Sequence, residues 1–269
     1  MKISGLRESV LLTGFAFVLA LPVTRCKTGP TPRPEPNGKR LSASEIASQL
    51  AEADRLYREP RSVEAVLSSL SLAKEALTET DEAGASWRAS RAYAWLATHH
   101  PDNSARRKYA EEGIHLGELA LSHPGARPET YFYQALNLGL LSELTNSGLF
   151  RIKLMKEHAL RVIELDEQLE YAGGHRFLAI LCYRTSAIPL FAAGSGEDAS
   201  KHLTRALELF PDHGENLLAM AEFHVWERKP ELALPYLGRL ETSEAPPDRS
   251  AEHQEWKRRG RELASRLEP

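Results

Sequence analysis

Ten histidines in a chain of 269 residues invite a search for metal ligands and acid–base pairs. No His-x-x-x-His pair stands at helical ligand spacing. His99-His100 precede Pro101-Asp102, a turn in which adjacent side chains point apart. His213 and His224 are separated by a predicted helix and lack a third ligand. Gly194-Ser195-Gly196 offers a serine, but a nucleophile elbow needs a preceding strand and none is predicted. A glycine-rich phosphate loop is absent too. Cys182 lies between Leu181 and Tyr183 in an apolar run and reads as core packing. These patterns predict no catalytic residue, no metal and no cofactor.

The remaining candidates are binding residues. His175 and Arg176 follow Gly173-Gly174 at a predicted helix start. A helix N-terminus with a cation beside it can hold the carboxylate of a ligand or partner. The structural reading, which is favoured, has Arg176 pairing with an acid of a neighbouring hairpin and His175 capping the helix. Asn137, flanked by Leu136 and Leu138, either hydrogen-bonds across hairpins or faces a ligand. Tyr131, Tyr133, Tyr183 and Phe191 either line an apolar channel or pack in the core, and core packing is the commoner use of such stripes. Asn216 either grips a peptide backbone or caps the helix beginning near Glu215.

Helices must position these residues. Tyr183, Ala187, Ala199 and Leu203 recur 34 residues later as Leu217, Ala221, Ala233 and Leu237. That is the period of the tetratricopeptide (TPR) helix–turn–helix repeat. Ala187 and Ala221 are expected where antiparallel helices approach closely. Pro211 ends the helix that precedes it. Ser42-Ala43-Ser44-Glu45 forms a capping box that opens the first helix. Apolar periodicity then pairs helices into five hairpins, with second helices over 62–78, 104–122, 149–166, 197–210 and 230–240. Asn146-Ser147-Gly148 is the turn of the third hairpin. A last helix over 250–267 carries Trp256, Leu263 and Leu267 on one side, as an array cap does. The predicted fold is an all-α, TPR-like α-solenoid of about five hairpins plus a C-terminal capping helix. Earlier hairpins leave the 34-residue register, with extra residues in the 168–173 linker and in 188–196. The second stretch, Ile188 to Gly196, is apolar for a surface loop and either lines a pocket or interface or folds over the core.

Residues 1–26 read as a leader, 27–40 as a tether and 41–269 as the helical domain. Lys2 and Arg7 precede an apolar run from Val10 to Leu21, the pattern of an export signal. The run is too short for a mature span, which needs about 20 residues. Cys26 just beyond it suggests lipidation, as in bacterial lipoproteins, although Arg25 stands where a lipobox has a small residue. The alternatives are cleavage elsewhere or an uncleaved anchor. The tether is rich in proline and glycine and extended. Hydrophobic content of 42% and charged content of 26% are those of a folded domain. Beyond Cys26 the chain has 31 basic and 36 acidic residues, net −5, which argues against nucleic acid.

Three segments carry a family resemblance. Tyr131-Phe132-Tyr133-Gln134-Ala135-Leu136-Asn137-Leu138-Gly139-Leu140, then Gly173-Gly174-His175-Arg176-Phe177-Leu178-Ala179, then 201–211 with Glu215-Asn216 and Ala221-Glu222 follow one another in order. This series resembles TatT-type components of tripartite ATP-independent periplasmic (TRAP) transporters over roughly 131–240. The resemblance implies a periplasmic, membrane-anchored lipoprotein that is all-helical and encloses a ligand-accessible channel. It also implies trimers and a periplasmic solute-binding protein as partner. The expected function is a non-catalytic accessory of solute uptake, binding a small apolar ligand or that partner. The other reading is a TPR scaffold for protein–protein contacts in the cell envelope.

Overall fold

The computed structural model describes residues 41–58, 62–79, 83–145, 148–188 and 190–267. The leader, the tether with Cys26, the turn residues Asn146 and Ser147, and Pro189 lie outside the described residues. Eleven α-helices make up the described chain: α1 Ala43–Arg58, α2 Val63–Glu79, α3 Ala83–His99, α4 Asn103–Leu121, α5 Pro128–Thr145, α6 Ile152–Leu165, α7 Leu169–Thr185, α8 Gly196–Leu209, α9 Gly214–Trp226, α10 Pro230–Thr242 and α11 Ser250–Leu267. The all-α, repeat-type solenoid expected from the sequence is the architecture found. Local chemistry sets the boundaries. Ser42 Oγ accepts from the Glu45 amide while the Glu45 carboxylate accepts from the Ser42 amide, closing the predicted box. Asp102 caps α4 by accepting from the Ala105 amide at 2.7 Å. Gly125, at φ 77°, turns the chain from α4 toward Pro128 at the start of α5.

Each helix packs on its sequence neighbour, and the odd-numbered helices also pack on one another in series from α1 to α11. The odd helices therefore form the inner layer and the even helices the outer one. The core is a relay of neighbouring clusters. Leu77, Tyr109, Ile114, Leu207 and Tyr236 each touch two of them, as expected where repeats contact only their neighbours. On α11, Trp256, Leu263 and Leu267 pack together on the last hairpin, as predicted.

The 34-residue register needs a correction. It holds for the second helices, since α8 and α10 start at 196 and 230, and Ala199, Leu203, Ala233 and Leu237 are all buried. It fails for the first helices. These end at Thr185 and Trp226, 41 residues apart, because the 186–195 connection is seven residues longer than 227–229. Ala187 thus lies exposed beyond α7, whereas Ala221 is buried in α9, so the two are not equivalent. The 168–173 segment is likewise no linker. Most of it is folded into the start of α7 as a left-handed turn.

Close helix approach in the first half depends on glycine. Asn137 on α5 is fully buried. It donates to the Ser90 carbonyl and hydroxyl of α3, both at 3.1 Å, and to the Tyr133 carbonyl at 2.9 Å. Ser90 in turn donates to the Gly113 carbonyl of α4 at 2.8 Å. A Cβ at Gly113 would stand 2.4 Å from Asn137 Oδ1, so only glycine admits this polar stitch between three helices. Gly113→Ala is expected to lower stability by about 2 kcal/mol despite the better helix propensity of alanine. Gly238→Ala, where nothing lies within 4 Å of the new methyl, is expected to raise it by about 0.5–1 kcal/mol. Chemical unfolding of both variants checks the pair, and a neutral Gly113→Ala would refute the stitch.

Candidate functional site

The strongest departure from regular helix is at the start of α7. Glu170, Tyr171 and Ala172 have φ of 51°, 56° and 62°, a left-handed turn made without glycine. Such a conformation costs about 1–2 kcal/mol per residue and persists only where its surroundings hold it. Here they do. The carbonyls of Glu170 and Tyr171 accept from the Arg176 guanidinium at 3.3 and 3.2 Å. Asn216 Nδ2 donates to the Tyr171 carbonyl at 3.1 Å and to the Ala206 carbonyl at 3.2 Å, while its Oδ1 accepts from Arg176 at 2.6 Å. Arg176 also pairs with Glu215 at 2.7 Å.

The turn aims two side chains at other inner helices. The Glu170 carboxylate accepts from the Tyr133 hydroxyl at 2.5 Å and is paired with Arg249, just before α11. The Tyr171 hydroxyl donates to Asp248 at 2.7 Å, and its ring stacks on His213, with centroids 4.4 Å apart. Tyr133 stacks on Trp87 of α3 at 6.3 Å. Arg91 lies over the Tyr57 ring at 4.0 Å and, with Arg88, pairs with Asp54 of α1. A polar–aromatic band therefore links α1, α3, α5, α7 and the entry to α11. Its three carboxylates, Asp54, Glu170 and Asp248, are matched by Arg88, Arg91 and Arg249. Burial alone would raise the Asp54 carboxyl, but the two arginines outweigh it and hold it below its ordinary range. Burial, reinforced by Glu170, pushes the Tyr133 phenol well up. Burial and Asp248 push Tyr171 up to about 12. The band thus holds ion pairs and protonated tyrosines, an arrangement for fixing helices in place.

A second feature lies between α5, α6 and α7. Gly139, Met155, Phe177, Ile180, Leu181 and Ile188 line a largely apolar cleft of about 300 Å³, with the Glu143–Arg184 ion pair at its rim. Ser142 and Thr185 at its wall turn their hydroxyls to the Leu138 and Leu181 carbonyls, so the lining stays apolar. A Cβ at Gly139 would meet Phe177 at 3.4 Å and Met155 at 3.8 Å, so any longer side chain there would occupy the cleft. Leu149 and Ile188 carry the lining to the mouth.

The sequence candidates are distributed over these features. Tyr133, Arg176 and Asn216 converge on the left-handed turn. The Arg176–Glu215 pair is the cross-hairpin ion pair anticipated for it. Asn216 holds that turn's backbone and does not cap α9. Asn137 bonds across hairpins. His175 lies within α7, where its Nδ1 stands 2.9 Å from Nδ1 of His202 and its Nε2 3.5 Å from Glu167. Burial lowers both of these histidines, so the contact joins neutral rings, one donating to the other. The four aromatics share no single lining. Tyr131 packs on His158, Tyr183 on Phe223 and Trp226, and Phe191 on Phe150. Cys182 is a buried thiol, raised to about 11 by burial. Among the described residues no group of three histidine, cysteine or acidic side chains is placed to hold a metal ion. Sequence reasoning missed Asp54, Trp87, Arg91, Glu170, Asp248 and Arg249. Arg91 had a signal, an arginine at an inward position of the alanine-rich α3. Glu170 had none, since nothing marks a left-handed turn of non-glycine residues.

In comparison with known proteins, the family model described as "Regulator of microtubule dynamics protein 1-3" matches residues 49–268. No curated protein matches the chain.

Two outcomes follow from the turn. Ala172 and Ala179 are both fully buried, but only Ala172 is left-handed. Ala172→Gly relieves backbone strain and is expected to cost about 1–2 kcal/mol less than Ala179→Gly in parallel unfolding measurements. The second outcome concerns His213, both of whose ring nitrogens are buried without a hydrogen-bond partner. Burial foremost, then Arg176 and Arg249, depress it to about 2. The unfolded chain takes up this proton near pH 6.5 and the folded chain does not, so stability falls as pH drops below 6.5. His213→Phe keeps the stack on Tyr171 and removes the proton. It is expected to lose about 2 kcal/mol less than the parent between pH 7 and pH 5. Urea unfolding at the two pH values measures this, and equal losses would contradict the assignment.

Proposed function

The chain belongs to the regulator of microtubule dynamics protein 1-3 family, and we propose that it is a non-catalytic binding scaffold that receives an apolar group in the cleft between α5, α6 and α7. The cleft carries this reading. It is largely apolar, has Gly139 in its wall, and carries only the mutually paired Glu143 and Arg184 as charges in its lining. The apolar leader and the proline-rich tether favour an exported, membrane-anchored protein over a partner such as a microtubule, which the family's description would suggest. In that setting two occupants are in view. One is a small apolar ligand, with a solute-binding protein as docking partner, as the TRAP-component resemblance of 131–140 and 173–179 suggests. The other is an apolar side chain of an envelope protein held by a TPR-type scaffold.

Gly139→Leu tests the reading, because it fills the cleft without touching the polar band. An apolar fluorescent probe, N-phenyl-1-naphthylamine, is expected to bind the parent and to lose about tenfold or more in affinity for the variant, ~1.4 kcal/mol or more. The melting temperature should stay near that of the parent. Unchanged probe affinity in a folded variant would sink the cleft as a binding site. Native mass spectrometry of the full chain from its own envelope then tells a co-purified small molecule from a bound protein.

A further inference from the structure

At the mouth of the cleft two connections expose large apolar side chains together. Phe150 is 88% exposed and Leu190 101%, the highest values among the described large hydrophobic residues. Phe150 and Phe191 meet edge to face with centroids 6.2 Å apart, so the two connections share one surface. Leu149, just before α6, and Leu154, in its first turn, are 42% and 39% exposed. Leu190 is moreover held in a left-handed conformation, φ 67°, which costs a leucine about 1–2 kcal/mol. A fully exposed leucine in a strained backbone gains nothing within this fold.

The surrounding charge leans positive, with Glu157 beside Lys153 and Glu143 paired with Arg184. Residues 149–156 read Leu-Phe-Arg-Ile-Lys-Leu-Met-Lys, three cations and no acid, in a chain whose net charge is −3. Lys153 is 89% exposed at the side chain, with Glu157 3.8 Å away. Aromatic and aliphatic tips ringed by lysine and arginine fit the boundary of an anionic bilayer, where the tips enter the acyl region and the cations meet headgroup phosphates. A soluble partner with an apolar face would not need the cations. A second copy would bring its own cations against them.

We propose that the face formed by Phe150, Leu190 and Phe191 with Lys153 and Lys156 docks on an anionic membrane surface. The inference rests on these exposed connections and not on what fills the cleft. The test uses the full chain carrying Cys26→Ser and Cys182→Ala, with Leu190→Cys labelled by a nitrobenzoxadiazole fluorophore. Vesicles of phosphatidylcholine with phosphatidylserine are expected to shift the label's emission to the blue. Lipids brominated in the acyl chain should quench it. Vesicles of phosphatidylcholine alone should act far more weakly. Adding Phe150→Asp should weaken the vesicle dependence of the shift about tenfold, with Phe150→Ser as the milder substitute. Lys153→Glu with Lys156→Glu should remove about fivefold per site from the preference for phosphatidylserine. The same label at Glu112→Cys on α4 should not respond, which separates docking of this face from insertion of the leader. No shift at 190, a shift untouched by Phe150→Asp, or a shift that grows with protein concentration without vesicles would each overturn the proposal, the last in favour of self-association.

Discussion

The left-handed turn at Glu170–Ala172 is the constraint on which the inner layer depends. Three consecutive non-glycine residues at positive φ would unwind in isolation. They are held because Arg176 and Asn216 take up the carbonyls that a regular helix would have satisfied within itself. The two residues come from α7 and α9, so the turn is held by both helices together. Once formed, it sends Glu170 and Tyr171 to α5 and to the entry of α11. Contacts in a solenoid otherwise run only between neighbours. This turn adds the half-buried Glu170–Arg249 ion pair and the Tyr171–Asp248 hydrogen bond, which bind the middle of the array to the entry of its C-terminal cap.

The legible part of the sequence was the part governed by periodicity and local chemistry. The Ser42 capping box, Pro128 at the start of α5 and the apolar side of α11 are local signals, and each lies where its pattern placed it. The second helices of the last two hairpins keep their 34-residue spacing because each is packed by the same small and large pair, Ala199 with Leu203 and Ala233 with Leu237. The first helices misled, because Tyr183 and Ala187 match Leu217 and Ala221 in type but not in place. A loop seven residues longer shifts α7 against α9, and residue type alone carries no record of it.

The site was legible only in fragments. Arg176, Asn216 and Tyr133 were singled out for separate reasons and turn out to converge on one turn. Their common partner, Glu170, was invisible, because its role depends on a backbone conformation that no local residue preference encodes. The cleft was hidden for a related reason. Gly139 sits in a helix apolar on nearly all sides, where a glycine reads as a weak helix former. Its consequence emerges only when Phe177 and Met155, from two other helices, stand opposite it. The apolar 188–196 connection was the one early indication, and Ile188 does line the cleft.

The two features are mechanically joined through α5 and α7. Tyr133 and Asn137 on α5 face the polar band and the α3 seam, while Gly139 and Ser142 face the cleft. On α7 the left-handed turn fixes where the helix begins and about which angle it is rotated. That rotation decides where Phe177, Ile180 and Arg184 stand further along. An α-helix transmits such a setting with little loss, because its hydrogen-bonded backbone resists twisting. The cleft is therefore bounded on one side by Gly139 of α5 and on another by α7, the helix whose start is fixed by the turn that Arg176 and Asn216 hold in place.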